Sequence, residues 1–258
     1  MLLALDVGSS ICTVVLFDPG RDAVLAEKVW RSRRRQTEET LPAVAEVFAQ
    51  AGAVMDDVGI LAVTTGPGSF TGVRIGISVV KGIALGLQEP PRLIGLPVLS
   101  VTAARFVPLA APGAEVWPVL QAGRGRFNWA AAAADDPLWL PDVDEHRAGQ
   151  VEALVAALRA AGRPVWLVGE LSSALRQDLE GLAHVRCIDP AAEFDLPVQG
   201  KSAARPPSGA GDDLPGREPV ALFQTRGEGL ARLAMRHRRA GSPAMTAPLQ
   251  PLYLRPPQ

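Results

Sequence analysis

Three short stretches of this chain carry residue types that could do chemistry. Asp6-Val7-Gly8-Ser9-Ser10 places an acid and a glycine in a turn after an apolar run. Such a turn can aim backbone N–H groups at phosphate while its carboxylate organises Mg2+, although any hairpin can carry the same residues. Gly66-Pro67-Gly68-Ser69-Phe70-Thr71-Gly72 leads into a helix, where free N–H groups suit an anion. It serves equally as a turn that simply aims the helix. Ser69 has no histidine or lysine placed by sequence to activate it, so a serine hydrolase is unsupported. The histidines His146, His184 and His237 are scattered, with no i, i+4 pair and no Cys-x-x-Cys, so no metal site is expected. A two-metal nuclease needs several carboxylates at neighbouring strand ends, and the strand running into Thr64-Thr65 supplies none.

The elements that position these residues are readable from periodicity and turn chemistry. Leu2 to Leu5, Ile11 to Phe17 and Ala23 to Trp30 read as three strands joined by hairpins. Thr40 to Ala51 reads as a helix capped by Thr37 or Thr40 and ended by Gly52, with Leu41, Val44, Val47, Phe48 and Ala51 on one face. Val58 to Val63 is a buried strand delivering the chain to Gly66. Gly72 to Leu87 is a helix about 24 Å long, with Ser69 or Thr71 as N-cap. At 100° per residue, Gly72, Gly76, Gly82 and Gly86 share an arc with Ile75, Val79 and Ile83. Val73, Ile77, Val80, Ala84 and Leu87 form an adjoining apolar band, and Arg74, Ser78 and Lys81 a narrow polar strip. Each interior glycine costs about 1 kcal/mol relative to alanine. Four on one face let another backbone approach closely, either a helix of a partner chain or a second layer of this chain. A membrane span is not expected, because Arg74 and Lys81 interrupt a segment barely long enough.

A strand at Arg92 to Ile94 and a short helix capped by Ser100 follow. The layout then repeats. Strands are expected at Glu115 to Gln121, Phe127 to Ala134 and near Leu138 to Leu140, a helix at Arg147 to Ala161, and a strand at Val165 to Val168. A helix at Leu171 to Leu179 and a strand at His184 to Ile188 complete the second copy. Two copies in tandem suggest a duplicated three-layer α/β fold of ribonuclease-H-like units, although other α/β arrangements share this element order. The expected division is 1–108, 109–216 and 217–258. The Pro190 to Glu218 stretch is rich in Pro, Gly, Ser and Ala and reads as a linker. A helix is expected from Pro219 to Arg239, with Arg232, Arg236, Arg238 and Arg239 at its C-terminal end, followed by an extended Pro-Leu-Gln-Pro-Leu-Tyr-Leu-Arg tail.

Composition excludes some partners. The 258 residues are 48% hydrophobic with a formal net charge of −1, which predicts neither a nucleic-acid binder nor an acidic tail. The basic run Arg31 to Arg35 is read as a solvated loop, with RNA contact as the alternative. Two cysteines, Cys12 and Cys187, imply no disulfide framework and fit a reducing cytosol. The start, with an aspartate at position 6 and no basic segment before it, reads as a strand and not a signal peptide.

The Asp6 turn resembles the first phosphate loop of actin-like ATPases, which makes Asp6, Gly8 and Ser9 the candidate cofactor-binding residues. Nucleotide use also needs a second acidic turn and an adenosine site. The matching turn, Gln121-Ala122-Gly123-Arg124, has no acid. The stretch Gly66 to Leu87, following Leu-Ala-Leu-Asp-Val-Gly-Ser-Ser and preceding a terminal Pro-Leu-Tyr-Leu-Arg, closely resembles the TsaB (YeaZ) family of the bacterial tRNA threonylcarbamoyladenosine machinery. The resemblance covers most of the first half and returns in the tail. It implies an α/β fold of two ribonuclease-H-like lobes of the actin/Hsp70-like superfamily. It further implies a non-catalytic, cytoplasmic subunit without catalytic residues, metal or cofactor. Its implied partners are a TsaD-type catalytic subunit that carries the metal site and a TsaE-type ATPase, with a homodimer when alone and tRNA met only through the complex. Members pair through the first two helices, so the implied partner interface here is Val44, Phe48, Gly72, Ile75, Gly76, Val79, Gly82, Ile83 and Gly86. The alternative function is a nucleotide-binding enzyme built on the Asp6-Gly8 loop. Two positions depart from the family: Gln36 stands where many members have histidine, and Gln121-Ala122-Gly123 where many have Asp-Ala-Arg. Both weaken a ligand site and leave a scaffold intact.

Overall fold

A computed structural model of the chain describes residues 1–32, 35–123, 125–188, 225–242, 244 and 248–252. The Pro190 to Glu218 linker, the start of the closing helix as far as residue 224, the tail from Tyr253, Arg124, and Arg33-Arg34 of the basic run lie outside these residues.

The first lobe contains β1 (Leu2–Asp6), β2 (Ile11–Asp18), β3 (Ala23–Arg31), α1 (Gln36–Ala51), β4 (Ile60–Thr64), α2 (Phe70–Gly86), β5 (Arg92–Leu96) and α3 (Val98–Ala103). The second contains β6 (Glu115–Gln121), β7 (Arg126–Trp129), β8 (Ala132–Ala133), β9 (Arg147–Gln150), α4 (Val151–Ala160), β10 (Val165–Gly169), α5 (Ser173–Asp178) and β11 (Val185–Ile188), after which α6 (Arg226–Ala240) closes the described chain. The sheets have matching orders, β3-β2-β1-β4-β5 and β9-β7-β6-β10-β11, with β8 pairing on β6. In the first, β2 is antiparallel and β4 parallel to β1; in the second, β7 is antiparallel and β10 parallel to β6. The repeated order gives two α/β lobes of one layout, as the tandem element order predicts.

Strand alternation distributes the core. Leu3, Leu5, Val14, Leu16, Leu61 and Val63 face α1 and α2, where Val44, Val47, Phe48, Val73, Ile77 and Val80 meet them. Leu2, Ala4, Val15, Phe17, Ile60 and Ala62 face the other way, onto Leu230, Ala231, Leu233 and Ala234 of α6. The final helix therefore supplies the second layer of the first lobe. Alpha-3 and the segment after it lie between the sheets: Val101 and Ala104 pack toward the first, while Ala103, Phe106 and Val107 pack on Val116 and Val168 of the second. Leu154, Leu158 and Leu175 of α4 and α5 cover the far face of the second sheet.

Three sequence expectations change in detail. Helix α1 starts at Gln36, so Thr37 and Thr40 lie inside it, and the Thr40 hydroxyl donates to the Gln36 carbonyl at 2.6 Å. Ser100 lies inside α3 instead of capping it. The third strand of the second lobe is Arg147–Gln150, taken from the start of the expected helix, and Leu138 to Leu140 form no strand. Among the described residues, no helix is long and apolar enough to cross a membrane.

Candidate functional site

Beta-1, the central strand, carries Asp6 at its C-terminal end, where the residue is 0% exposed. Its Oδ1 accepts from the Thr64 hydroxyl at 2.8 Å, at the end of the neighbouring β4, and from the Gly8 N–H at 3.4 Å. Its Oδ2 is ion-paired with Nε of Arg226 at 2.8 Å. The same guanidinium donates through Nη2 to the Ile11 carbonyl at 2.9 Å and to the Ser9 hydroxyl. Its Nη1 lies 3.5 Å from Oε1 of Glu170, in the second lobe. Burial pulls the Arg226 pKa down, but the charges of Asp6 and then Glu170 outweigh it, and the net shift is upward. The group stays a cation.

This arrangement does not fit a metal-bound nucleotide at Asp6. The carboxylate that would organise Mg2+ already holds a guanidinium. Two of the loop's own donors are also committed: the Gly8 N–H bonds Asp6, and the Ile11 N–H bonds the Ser9 hydroxyl at 3.2 Å. Asp6, Gly8 and Ser9 come together as the sequence suggests, but as an internal ion-pair site. Arg226 and Glu170 were missed. Glu170 does for the second lobe what the turn at 121–123 cannot, since it supplies an acid there. Gly169 makes this feasible: at φ +128, it lies where an added Cβ would meet the Val119 carbonyl oxygen at 2.1 Å. The Glu170 N–H donates to that carbonyl, and its Oε2 accepts from the Gln121 N–H at 3.0 Å.

The glycine-rich turn also looks inward. Ser69 caps α2, its hydroxyl accepting from the Gly72 N–H at 3.2 Å, while its own N–H donates to the Gly8 carbonyl at 2.6 Å. Two of the donors an anion would need, the Ser69 and Gly72 N–H groups, are therefore taken up by the Gly8 carbonyl and the Ser69 hydroxyl. The Thr65 carbonyl accepts from the Leu252 N–H at 2.7 Å, which ties the tail to the same turn.

The expected interface divides. Val44 (2% exposed) and Phe48 (7%) are core residues of the first lobe. Gly72 and Gly76 pack against this chain's own Val7 and Val63, so their missing side chains accommodate the sheet and not a partner. These four are corrected to internal positions: α1 and α2 turn their most apolar arcs onto their own sheet. Gly82 and Gly86 are open, with nothing near an added Cβ, while Ile75, Val79 and Ile83 are half-buried. Leu85, which the glycine arc left out, is 89% exposed beside them.

The histidines are structural. The Leu158 and Asp142 carbonyls lie 2.9 and 3.0 Å from ring nitrogens of His184 and His146, and the Ser242 hydroxyl lies 2.9 Å from His237 Nδ1. Among the described residues, no group of three or more His, Cys, Asp or Glu could hold a metal.

The family described as "TsaD: tRNA N6-adenosine threonylcarbamoyltransferase" matches residues 24–136. The tRNA threonylcarbamoyladenosine biosynthesis protein TsaB of Escherichia coli is 33% identical over 135 residues, 52% of this chain and 56% of that protein. Its namesake from Haemophilus influenzae is 36% identical over 102 residues, 40% of each. The chain thus spans about half the length of these curated relatives. The solved structure "YeaZ from Pseudomonas aeruginosa" matches 98% of this chain and 99% of its own with a TM-score of 0.60 at 20% identity, which establishes the shared fold. With the Gly66–Leu87 motif, the duplicated sheets and these relatives together, the chain is similar to the TsaB (YeaZ) proteins.

Proposed function

We propose that this chain is the non-catalytic scaffold subunit of the machinery that forms N6-threonylcarbamoyladenosine at position 37 of tRNA. In this reading it binds and stabilises a TsaD-type catalytic subunit. The observation that carries the reading is the C-terminal half of α2. Leu85 stands in solvent next to two open glycines and the half-buried Ile75, Val79 and Ile83. An exposed leucine beside a bump-free backbone is suited to a partner's helix, and such a centre concentrates binding energy. The names of the curated relatives support the pathway. The match to the TsaD family also supports a partner built on a related fold. When that partner is absent, the same face pairs two copies of this chain. A TsaE-type ATPase joins the complex, and tRNA is met through it.

The test is size-exclusion chromatography with the TsaD-type protein of the same genome. Leu85→Glu should abolish co-elution while leaving the melting temperature of the isolated chain unchanged. Undiminished pairing would overturn the reading. The rival, a nucleotide-dependent enzyme using Asp6, requires calorimetric binding of Mg·ATP that disappears in Asp6→Ala. The commitment of Asp6 to Arg226 favours no such binding.

A further inference from the structure

Arg226 opens α6, and its side chain is 18% exposed. It meets one carboxylate from each lobe: Asp6 at the end of β1 in the first sheet, and Glu170 directly after β10 in the second. The flexible point charge of a lysine could not serve both as well. A guanidinium presents Nε and the two Nη groups in a fixed plane, and here Nε faces Asp6, Nη1 faces Glu170 and Nη2 holds the β1–β2 turn. Without the cation, two acids would face the same seam, one of them fully buried. A buried carboxylate stripped of its partner is strongly unfavourable.

The anchoring around Arg226 is correspondingly firm. The Thr225 hydroxyl accepts from the Glu228 N–H at 3.1 Å to cap α6 and donates to Glu27 of β3. Gly227 rests against Val15 and Thr13 of β2, where an added Cβ would meet side-chain atoms at 2.6 and 2.7 Å. The start of α6 is thus seated on three strands of the first lobe, and the arm toward Glu170 is what reaches the second.

We infer that the Arg226 guanidinium is a built-in clamp between the lobes, standing where the actin-like arrangement would use a metal-bound phosphate, so that closure of this chain needs no nucleotide. The inference holds whether or not the chain binds a TsaD-type partner, and its test uses the isolated full-length chain.

Spin labels at Gln50→Cys and Arg159→Cys, both exposed and one in each lobe, report the distance between lobes. Cys187→Ser removes the half-exposed native thiol, and dilution with unlabelled chain removes distances between copies. The unmodified clamp should give one narrow distance distribution, unchanged by millimolar Mg·ATP. Arg226→Ala should broaden it, and millimolar guanidinium should narrow it again by refilling the space between the acids. Glu170→Gln leaves the Asp6–Arg226 pair in place and keeps the test open if Arg226→Ala does not fold. It should broaden the distribution with no loss of circular dichroism. A narrow, unshifted distribution in Glu170→Gln would overturn the clamp, as would a wild-type distribution that Mg·ATP changes.

Discussion

Gly72 of α2 lies so close to the main chain at Val7 that an added Cβ would sit 2.3 Å from the Val7 carbonyl oxygen. That oxygen belongs to backbone held between β1 and the Asp6 turn, and it cannot rotate away as a side chain would. The glycine at the head of this helix is therefore spent inside the molecule. The one ten residues later, Gly82, meets nothing within 4 Å.

The two positions should respond oppositely to one methyl group. Gly72→Ala should destabilise the isolated chain by about 2 kcal/mol or more, because a packed backbone must shift. Gly82→Ala should be neutral or stabilise by up to about 1 kcal/mol, since alanine is the better helix former and space is available. Urea unfolding of both variants measures this. A Gly82→Ala loss as large as that at Gly72 would mean that the helix end is covered by this chain.

The tail should matter to the glycine-rich turn although it is distant in sequence. Leu249 is buried beside Gly95 and Thr65, and the Leu252 N–H completes the Thr65 carbonyl. Leu249→Ala should cost about 2 kcal/mol, at the low end of core truncations because the site is near the surface. It should also raise amide exchange over residues 64–66. Exchange unchanged there would show that the tail rests on the turn without holding it.

Much of this was legible in the sequence, and the omissions have physical reasons. The strands of the first lobe announce themselves as apolar runs bounded by Asp6-Gly8 and Asp18-Gly20, and α2 by its Ser69 cap. Arg147-Ala148-Gly149-Gln150 has no apolar run at all. It is a strand because β7 offers it a partner, a fact of pairing and not of local pattern. A helical wheel shows which residues share a face, but not which face meets the sheet. The glycine arc is one surface on the wheel, while in the fold its two ends point to core and to solvent. Arg226, Asp6 and Glu170 are brought together only by the return of α6 to the first sheet, and no spacing rule links them.

The two cysteines should differ sharply in reactivity. Cys12 is fully buried, and burial, with Asp6 adding to it, pushes its thiol pKa well up. Cys187 is half-buried and raised too, chiefly by burial. Iodoacetamide at pH 8 should modify Cys187 alone in the native chain and both cysteines in denaturant. Prompt double labelling without denaturant would show that β2 opens readily.

Acid should weaken the fold through His237 and His146 before the carboxylates titrate. Both rings are buried, at 0% and 7% exposure, and burial is the main cause holding each pKa below the usual 6.5. The unfolded chain protonates these rings near pH 6.5, while the folded chain keeps them neutral to lower pH. Between those limits the unfolded state binds more protons, so stability falls as pH falls, by at most about 1.4 kcal/mol per pH unit for each ring. Above pH 7.5 both states are neutral and the contribution is flat. Urea midpoints measured from pH 7.5 down to 5.5 should therefore decline, and His237→Gln should make that decline shallower. An equally steep decline in the variant would mean that the proton enters elsewhere. His237 is the more informative of the two, because it belongs to α6, with its buried ring next to Ser242, so its protonation would loosen the helix that carries Arg226.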